Sequence, residues 1–174
     1  MITGPSALCW LTQNLGADQQ AASVSDATEA SAGWYFQFNN KQGYKHDGTL
    51  RTPAIAWVAN ISGATDWLSV NDPCNLLLGT GWRIPTNTEW TAADYQPQYW
   101  QNAADAYASV LKLHNAGYLS YNVALLTGRG TIGNYWSSTQ SGSTTAYYFS
   151  LTGTTSATTS MDKATAVSLR CIKN

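Results

Sequence analysis

Charge is scarce in this chain of 174 residues. Nine Lys and Arg and ten Asp and Glu make up 11% of it, against roughly 25% in an ordinary soluble domain. The two signs nearly cancel, leaving a net charge of −1, so charge suggests no affinity for nucleic acid or anionic membranes. Long apolar runs are missing as well. No stretch approaches the ~18 residues that a membrane span needs, so no direct membrane insertion is expected. Only His46 and His114 could act as bases near neutral pH, and neither sits in a catalytic motif. His46 lies in a Lys-Asp-Gly turn, and His114 is read as ending a helix beside Asn115, where a cation would suit the helix dipole. A Gly-x-Ser-x-Gly elbow, a phosphate loop and a His/Cys cluster with zinc spacing are all absent. The chain is therefore read as no enzyme, with no catalytic residues, no metal and no cofactor.

What the chain does carry is aromatic and neutral-polar. Eight Trp and ten Tyr stand among Ser, Thr, Asn and Gln, a surface palette suited to neutral partners such as glycans or other proteins. The length favours one domain, residues 1–174, with room for a real core. Three cysteines, Cys9, Cys74 and Cys171, allow three single pairings, or three reduced thiols. No signal peptide precedes Met1-Ile2-Thr3-Gly4, which runs almost directly into the first patterned stretch. That abruptness points to a piece of a longer exported protein, the alternative being a small protein that stays in the cell.

The densest signal is Gly81-Trp82-Arg83-Ile84-Pro85-Thr86-Asn87-Thr88-Glu89-Trp90. Trp82 and Ile84 alternate with Arg83 as in a half-buried strand, and Pro85 stops it. Thr86 with Glu89 three residues on is a capping box opening a helix, with Trp90 on the first turn as an anchor. Arg83 and Glu89 are read as structural. Upstream, Asn71-Asp72-Pro73-Cys74 reads as a turn. Elsewhere residues 8–16 read as a strand and turn, and Asp26 as the cap of a short helix reaching Ala30. Residues 33–38 read as a strand with Trp34, Phe36 and Phe38 on one face. Residues 39–66 read as a long irregular loop packed by Tyr44, Trp57 and Trp67. A second main helix is expected over residues 102–113, capped by Asn102, with Ala103, Ala106, Tyr107, Val110, Leu111 and Leu113 as its apolar stripe. Short strands follow at residues 117–119, 124–126, 133–136, 146–151 and 167–172, in an antiparallel meander.

Several of these motifs together resemble one family. The Asp72-Pro73-Cys74 turn, the block at residues 81–90, Tyr135-Trp136-Ser137-Ser138-Thr139 and the closing Leu169-Arg170-Cys171 are similar to the FISUMP family (Fibrobacter succinogenes major paralogous domain). Trp10-Leu11 followed by Asn14-Leu15-Gly16 fits the same pattern. The resemblance implies an α+β, C-type lectin-like fold, with two helices packed on short antiparallel sheets and long loops. It also implies that the N- and C-terminal strands pair. Because it places the strands flanked by Cys74 and Cys171 in one terminal sheet, it implies a Cys74–Cys171 disulfide, leaving Cys9 free or paired outside this chain. Formylglycine-generating enzymes share the fold, but their oxidising chemistry resembles a site needing two cysteines late in the chain, where only Cys171 stands. A degenerate enzyme of that type is one alternative. Calcium-dependent sugar binding lacks its Glu-Pro-Asn or Gln-Pro-Asp loop, and Asp162 is the only carboxylate side chain after residue 117.

The remaining reading is a binding surface. Twelve of the twenty residues 141–160 are Ser or Thr, and short hydroxyls with tyrosines give adaptable contacts at low entropy cost. The candidate ligand-binding residues are Tyr135, Trp136, Ser141, Thr144, Tyr148, Ser150, Thr152, Thr154, Thr155, Ser156, Thr158, Ser160, Asp162 and Thr165. The expected partner is a protein or glycan on another cell or surface, and the expected location extracellular or on the cell surface. The family is also similar to the variable proteins of diversity-generating retroelements, in which adenine-rich codons are varied. The varied face would be residues 141–165. Residues 141–160 contain no Lys, Glu, Gln, Met or Trp, which fits that origin, and Met161 and Lys163 would be fixed positions. The alternative is ordinary Ser/Thr drift within the family. The competing reading is a structural surface or pilus-tip module without a selective pocket.

Overall fold

Trp90 sits at the centre of the first core. In a computed structural model, which describes residues 1–95 and 99–173, its ring stacks on Phe149 at 5.1 Å and lies 5.3 Å from Trp10 and 5.8 Å from Tyr135. Its indole N–H donates to the carbonyl of Trp136 at 3.1 Å. Burying a ring this large without stranding its donor is what fixes the helix that carries it, residues 87–95, against the sheet.

The chain forms an α+β fold of mostly antiparallel sheets. The strands are β1 (Ile2–Thr3), β2 (Cys9–Trp10), β3 (Tyr35–Gln37), β4 (Gly43–His46), β5 (Arg51–Thr52), β6 (Trp82–Arg83), β7 (Tyr118–Leu119), β8 (Leu126–Thr127), β9 (Gly133–Gln140), β10 (Thr145–Leu151), β11 (Ser156–Asp162), β12 (Ala166–Ser168) and β13 (Ile172–Lys173). The helices are α1 (Glu29–Ala32), α2 (Pro73–Leu78), α3 (Asn87–Tyr95) and α4 (Ala103–Ala108). A small sheet runs β1-β2-β13-β6, so the terminal strands do pair. A nine-stranded sheet runs β11-β10-β9-β12-β3-β4-β5, with β7 and β8 branching from β12.

The block at residues 81–90 links these parts. β6 pairs with β13, and the capping box closes in both directions. Thr86 accepts from the Glu89 amide at 3.2 Å, and Glu89 accepts from the Thr86 amide at 2.8 Å. Two cores lie on opposite faces of β9 and β10. Trp10, Trp90, Tyr135, Phe149 and Leu151 fill one with α3 and α4; Phe36, Phe38, Trp82, Ile84, Trp136 and Leu169 fill the other. Cys74 and Cys171 are joined by a disulfide, with Cα atoms 5.7 Å apart, inside the second core. Cys9 is free and half-buried.

Several local readings are corrected by the structure. Asn71 to Cys74 is no simple turn: Asp72 caps α2 by accepting from the Cys74 amide at 2.8 Å, and its other oxygen accepts from Ile84 at 3.0 Å. One carboxylate thus ties that helix to the end of β6. The cap of α1 is Thr28, while Asp26 steadies it by accepting from the Thr28 amide and hydroxyl. Residues 39–66 contain the β4–β5 hairpin. The helix after Asn102 stops at Ala108 because Ser109 turns back on the chain, donating to Ala106 at 2.6 Å and accepting from Leu111 at 3.2 Å. Val110 is therefore exposed instead of in the stripe, while Leu111 and Leu113 still reach the core. The expected last strand is two strands. β12 belongs to the large sheet and β13 to the small one, and Leu169 to Cys171 cross between them.

That crossing carries a buried cation. Arg170 is fully buried and donates to the carbonyls of Leu11 (3.1 Å) and Leu111 (2.8 Å) and to the Asn14 side chain (2.9 Å). Its fork bridges two segments at once, residues 11–14 and Leu111, a geometry that suits guanidinium and not ammonium. His114 is also buried, not a helix-end cation, and neither ring nitrogen has a hydrogen-bond partner among the described residues.

Candidate functional site

The meander β9–β10–β11 decides where the Ser/Thr-rich segment can act. Directly opposed residues of antiparallel strands share a face. Tyr148 opposes Trp136 and Thr159, and Ser150 opposes Asn134 and Ala157. Phe149 opposes Tyr135 and Thr158, and Leu151 opposes Ser156. One face thus carries Trp136, Tyr148, Ser150, Asn134 and Met161. The other, under the helices, carries Tyr135, Phe149, Leu151, Ser156, Thr158 and Ser160. The expected single ligand face is split by the period of the strand.

The first of these faces opens into a groove of about 470 Å³. Tyr118, Tyr121, Tyr148, Ile132 and Met161 give it apolar walls, and Asn134, Ser150, Thr152, Asp162 and Thr165 give it polar groups. Asn134 is 3% exposed, and its side-chain oxygen has no hydrogen-bond partner among the described residues. A buried amide oxygen left unsatisfied is costly, and this one lies beneath the floor of the groove. Burial pushes the Tyr148 phenol up despite a bond to Ser150, so it is a neutral donor and acceptor. Asp162 accepts from the Ala164 amide at 2.8 Å, and its carbonyl accepts from Thr165 at 3.0 Å. These bonds hold the carboxylate at the lip of the groove.

Of the candidate residues, Tyr148, Ser150, Thr152, Asp162 and Thr165 come together here. Tyr135 and Trp136 do not serve as contact residues, because both are fully buried. The Tyr135 hydroxyl donates to the His114 carbonyl at 2.6 Å, and the Trp136 indole donates to Phe36 at 2.7 Å. Ser156 is buried too, with its hydroxyl 2.7 Å from an Asp94 oxygen and 2.6 Å from the Trp100 carbonyl. Thr158 lines a separate cleft with Asp94, Tyr95 and Tyr99, and Ser160 is exposed on the same strand. Ser141 and Thr144 lie in the β9–β10 turn, and Thr154 and Thr155 in the β10–β11 turn. All four are exposed.

Sequence reading missed Tyr118, Tyr121, Ile132, Asn134 and Met161. Asn134 was within reach, since period-two counting from Trp136 puts it on the same face. Tyr121 carried no such signal, because it sits in the turn between β7 and β8, where the Trp57 indole holds its carbonyl at 2.6 Å. Lys163 lies apart from the groove, with its ammonium on the carbonyls of Gly63 (2.7 Å) and Ser143 (3.2 Å) and the side chain of Gln140 (3.3 Å). It clips the long loop to the β9–β10 hairpin. Among the described residues no group of three or more His, Cys, Asp or Glu comes together as a metal site. No helix among them is long and apolar enough to cross a membrane.

Residues 95–172 match a family described as a domain of unknown function (DUF8237). The whole groove lining falls inside that span. No curated protein and no solved structure matches the chain.

Proposed function

We propose that this protein is a non-enzymatic ligand-binding domain of C-type lectin-like fold, related to the FISUMP family, that uses the groove beside β10 to hold a protein or glycan ligand. The observation that carries this reading is the groove itself, where Tyr118, Tyr121 and Tyr148 stand beside the polar groups of Asn134, Ser150 and Asp162. Aromatic walls supply contact area, and the amide and hydroxyls supply direction, the usual division of labour in a binding pocket. The disulfide fits an oxidising, extracellular setting. The side chains of Ser141, Thr144, Thr154, Thr155, Thr159 and Ser160 are exposed, so the fold tolerates change there. This supports a surface varied by a retroelement.

A screen of glycans and surface proteins tests the binding role, followed by Tyr121→Ala and Ser150→Arg on any ligand found. Both variants are expected to keep the melting temperature and lose binding at least tenfold. A ligand bound equally by both would move the site elsewhere and sink the groove reading. For diversification, the coding locus is expected to hold a reverse-transcriptase gene and a near-copy of the 3′ segment differing at template adenines. A locus with neither removes that part alone.

A further inference from the structure

One outer strand of the large sheet is unguarded among the described residues. Of these, β11 pairs only with β10, through an unbroken register from Thr145↔Asp162 to Leu151↔Ser156. Thr152 donates to the Thr155 carbonyl and Lys163 to the Thr144 carbonyl, both at 2.9 Å. Those two bonds fix the phase of the ladder, because hydrogen-bonded pairs alternate along antiparallel strands. Ala157, Thr159 and Met161 then turn their amides toward β10. Ser156, Thr158 and Ser160 turn theirs outward, where no described residue takes them.

Natural sheet edges are blunted by short strands, bulges, proline or lysine. The other described edges here are. β5 is two residues long, carries Arg51 and runs into Pro53, while β1 and β6 are two residues each. β11 has seven residues, no Lys, Arg or Pro, and no bulge against β10.

We infer that β11 is a self-association edge, pairing antiparallel with β11 of a second copy about a two-fold axis through Thr159. The sequence of the strand favours its own copy as the occupant. In that register Thr159 faces itself, Thr158 faces Ser160, Ala157 faces Met161, and the one carboxylate, Asp162, faces Ser156. No like charges meet, and Thr–Thr and Thr–Ser pairs are favourable cross-strand neighbours. Tyr95 and Tyr99, 60% and 51% exposed with rings 4.8 Å apart, flank the same edge beside Ser156 and Thr158. They add aromatic area of the kind enriched at interfaces. The pairing uses backbone groups, so it tolerates exchange among short neutral side chains but not a charged one such as lysine on the edge. It would set two grooves on one continuous sheet, which permits bivalent binding. This inference does not depend on what the groove binds.

Sedimentation and amide exchange from about 10 μM to about 1 mM test it. The wild-type mass is expected to approach that of two chains, with Ser156, Thr158 and Ser160 gaining exchange protection as it does. Ser160→Pro removes only an outward donor and is expected to give a folded monomer; Ser160→Lys serves if the proline variant fails to fold. A wild type that stays monomeric at 1 mM overturns the inference. So does a dimer that survives either variant or leaves those three amides unprotected, and so does a monomer that takes up a foreign strand instead.

Discussion

Glu89 grips both amino groups of Arg83, at 2.6 and 2.7 Å, with the same carboxylate that accepts from the Thr86 amide at 2.8 Å. A planar fork and a capping box therefore share one side chain, joining β6 to the first turn of α3. Glu89→Gln keeps the shape and removes the charge. It is expected to lower stability by about 2 kcal/mol, or roughly 4–8 °C in a thermal melt. Burial alone would raise the Glu89 pKa, but Arg83 and Thr86 outweigh it and hold the carboxyl below its ordinary value. Its contribution is thus present above the ordinary glutamate pKa and lost as pH falls through the lowered one. Wild type should lose more stability than Glu89→Gln in that acid window.

Trp90 and Trp82 make a graded pair. Trp90 is fully buried between Trp10 and Phe149, whereas Trp82 is 9% exposed, with Lys173 against its ring. Trp90→Ala is expected to cost about 3–5 kcal/mol and Trp82→Ala less. Denaturant titration of both checks the order, and an unchanged midpoint for Trp90→Ala would remove the organising role of this block.

His114 should make stability climb with pH. Burial, with Arg170 nearby, pushes its pKa from 6.5 down to about 4. The unfolded chain takes a proton below 6.5 that the folded chain refuses until about 4, so stability falls as pH drops through that window. The drop is worth about 3 kcal/mol. His114→Leu is expected to flatten it. Asp26, held down to about 2 by bonds from Ala22 and Thr28 that outweigh burial, acts in a lower window and does not mask the effect.

Reducing the Cys74–Cys171 disulfide releases a separation of 97 residues. Loop-closure entropy puts the loss at about 4.7 kcal/mol. The melting temperature under a strong reductant, compared with that of Cys74→Ala, measures it. Cys9→Ala should leave the melt close to wild type.

Thr159→Pro tests the phase of the β11 ladder. Its amide faces β10, so proline there breaks the monomer's own sheet and should lower the melting temperature. Ser160→Pro, one residue on, should not.

The sequence by itself determined the local grammar of this protein. The strand–stop–capped helix at residues 82–90 and the capping role of Asn102 both rest on neighbours a few residues away. Single local signals were enough for those. What lay further off was decided only in three dimensions. Whether Ser109 would end α4, or Leu169 to Cys171 would cross between sheets, depended on partners distant in the chain. The Ser/Thr-rich segment is the sharpest case. Its composition announced a polar surface, yet an alternating strand must send neighbouring side chains to opposite faces. Only the pairing of β10 with β9 and β11 fixed which of them meet Asn134 at the groove, and which lie under the helices.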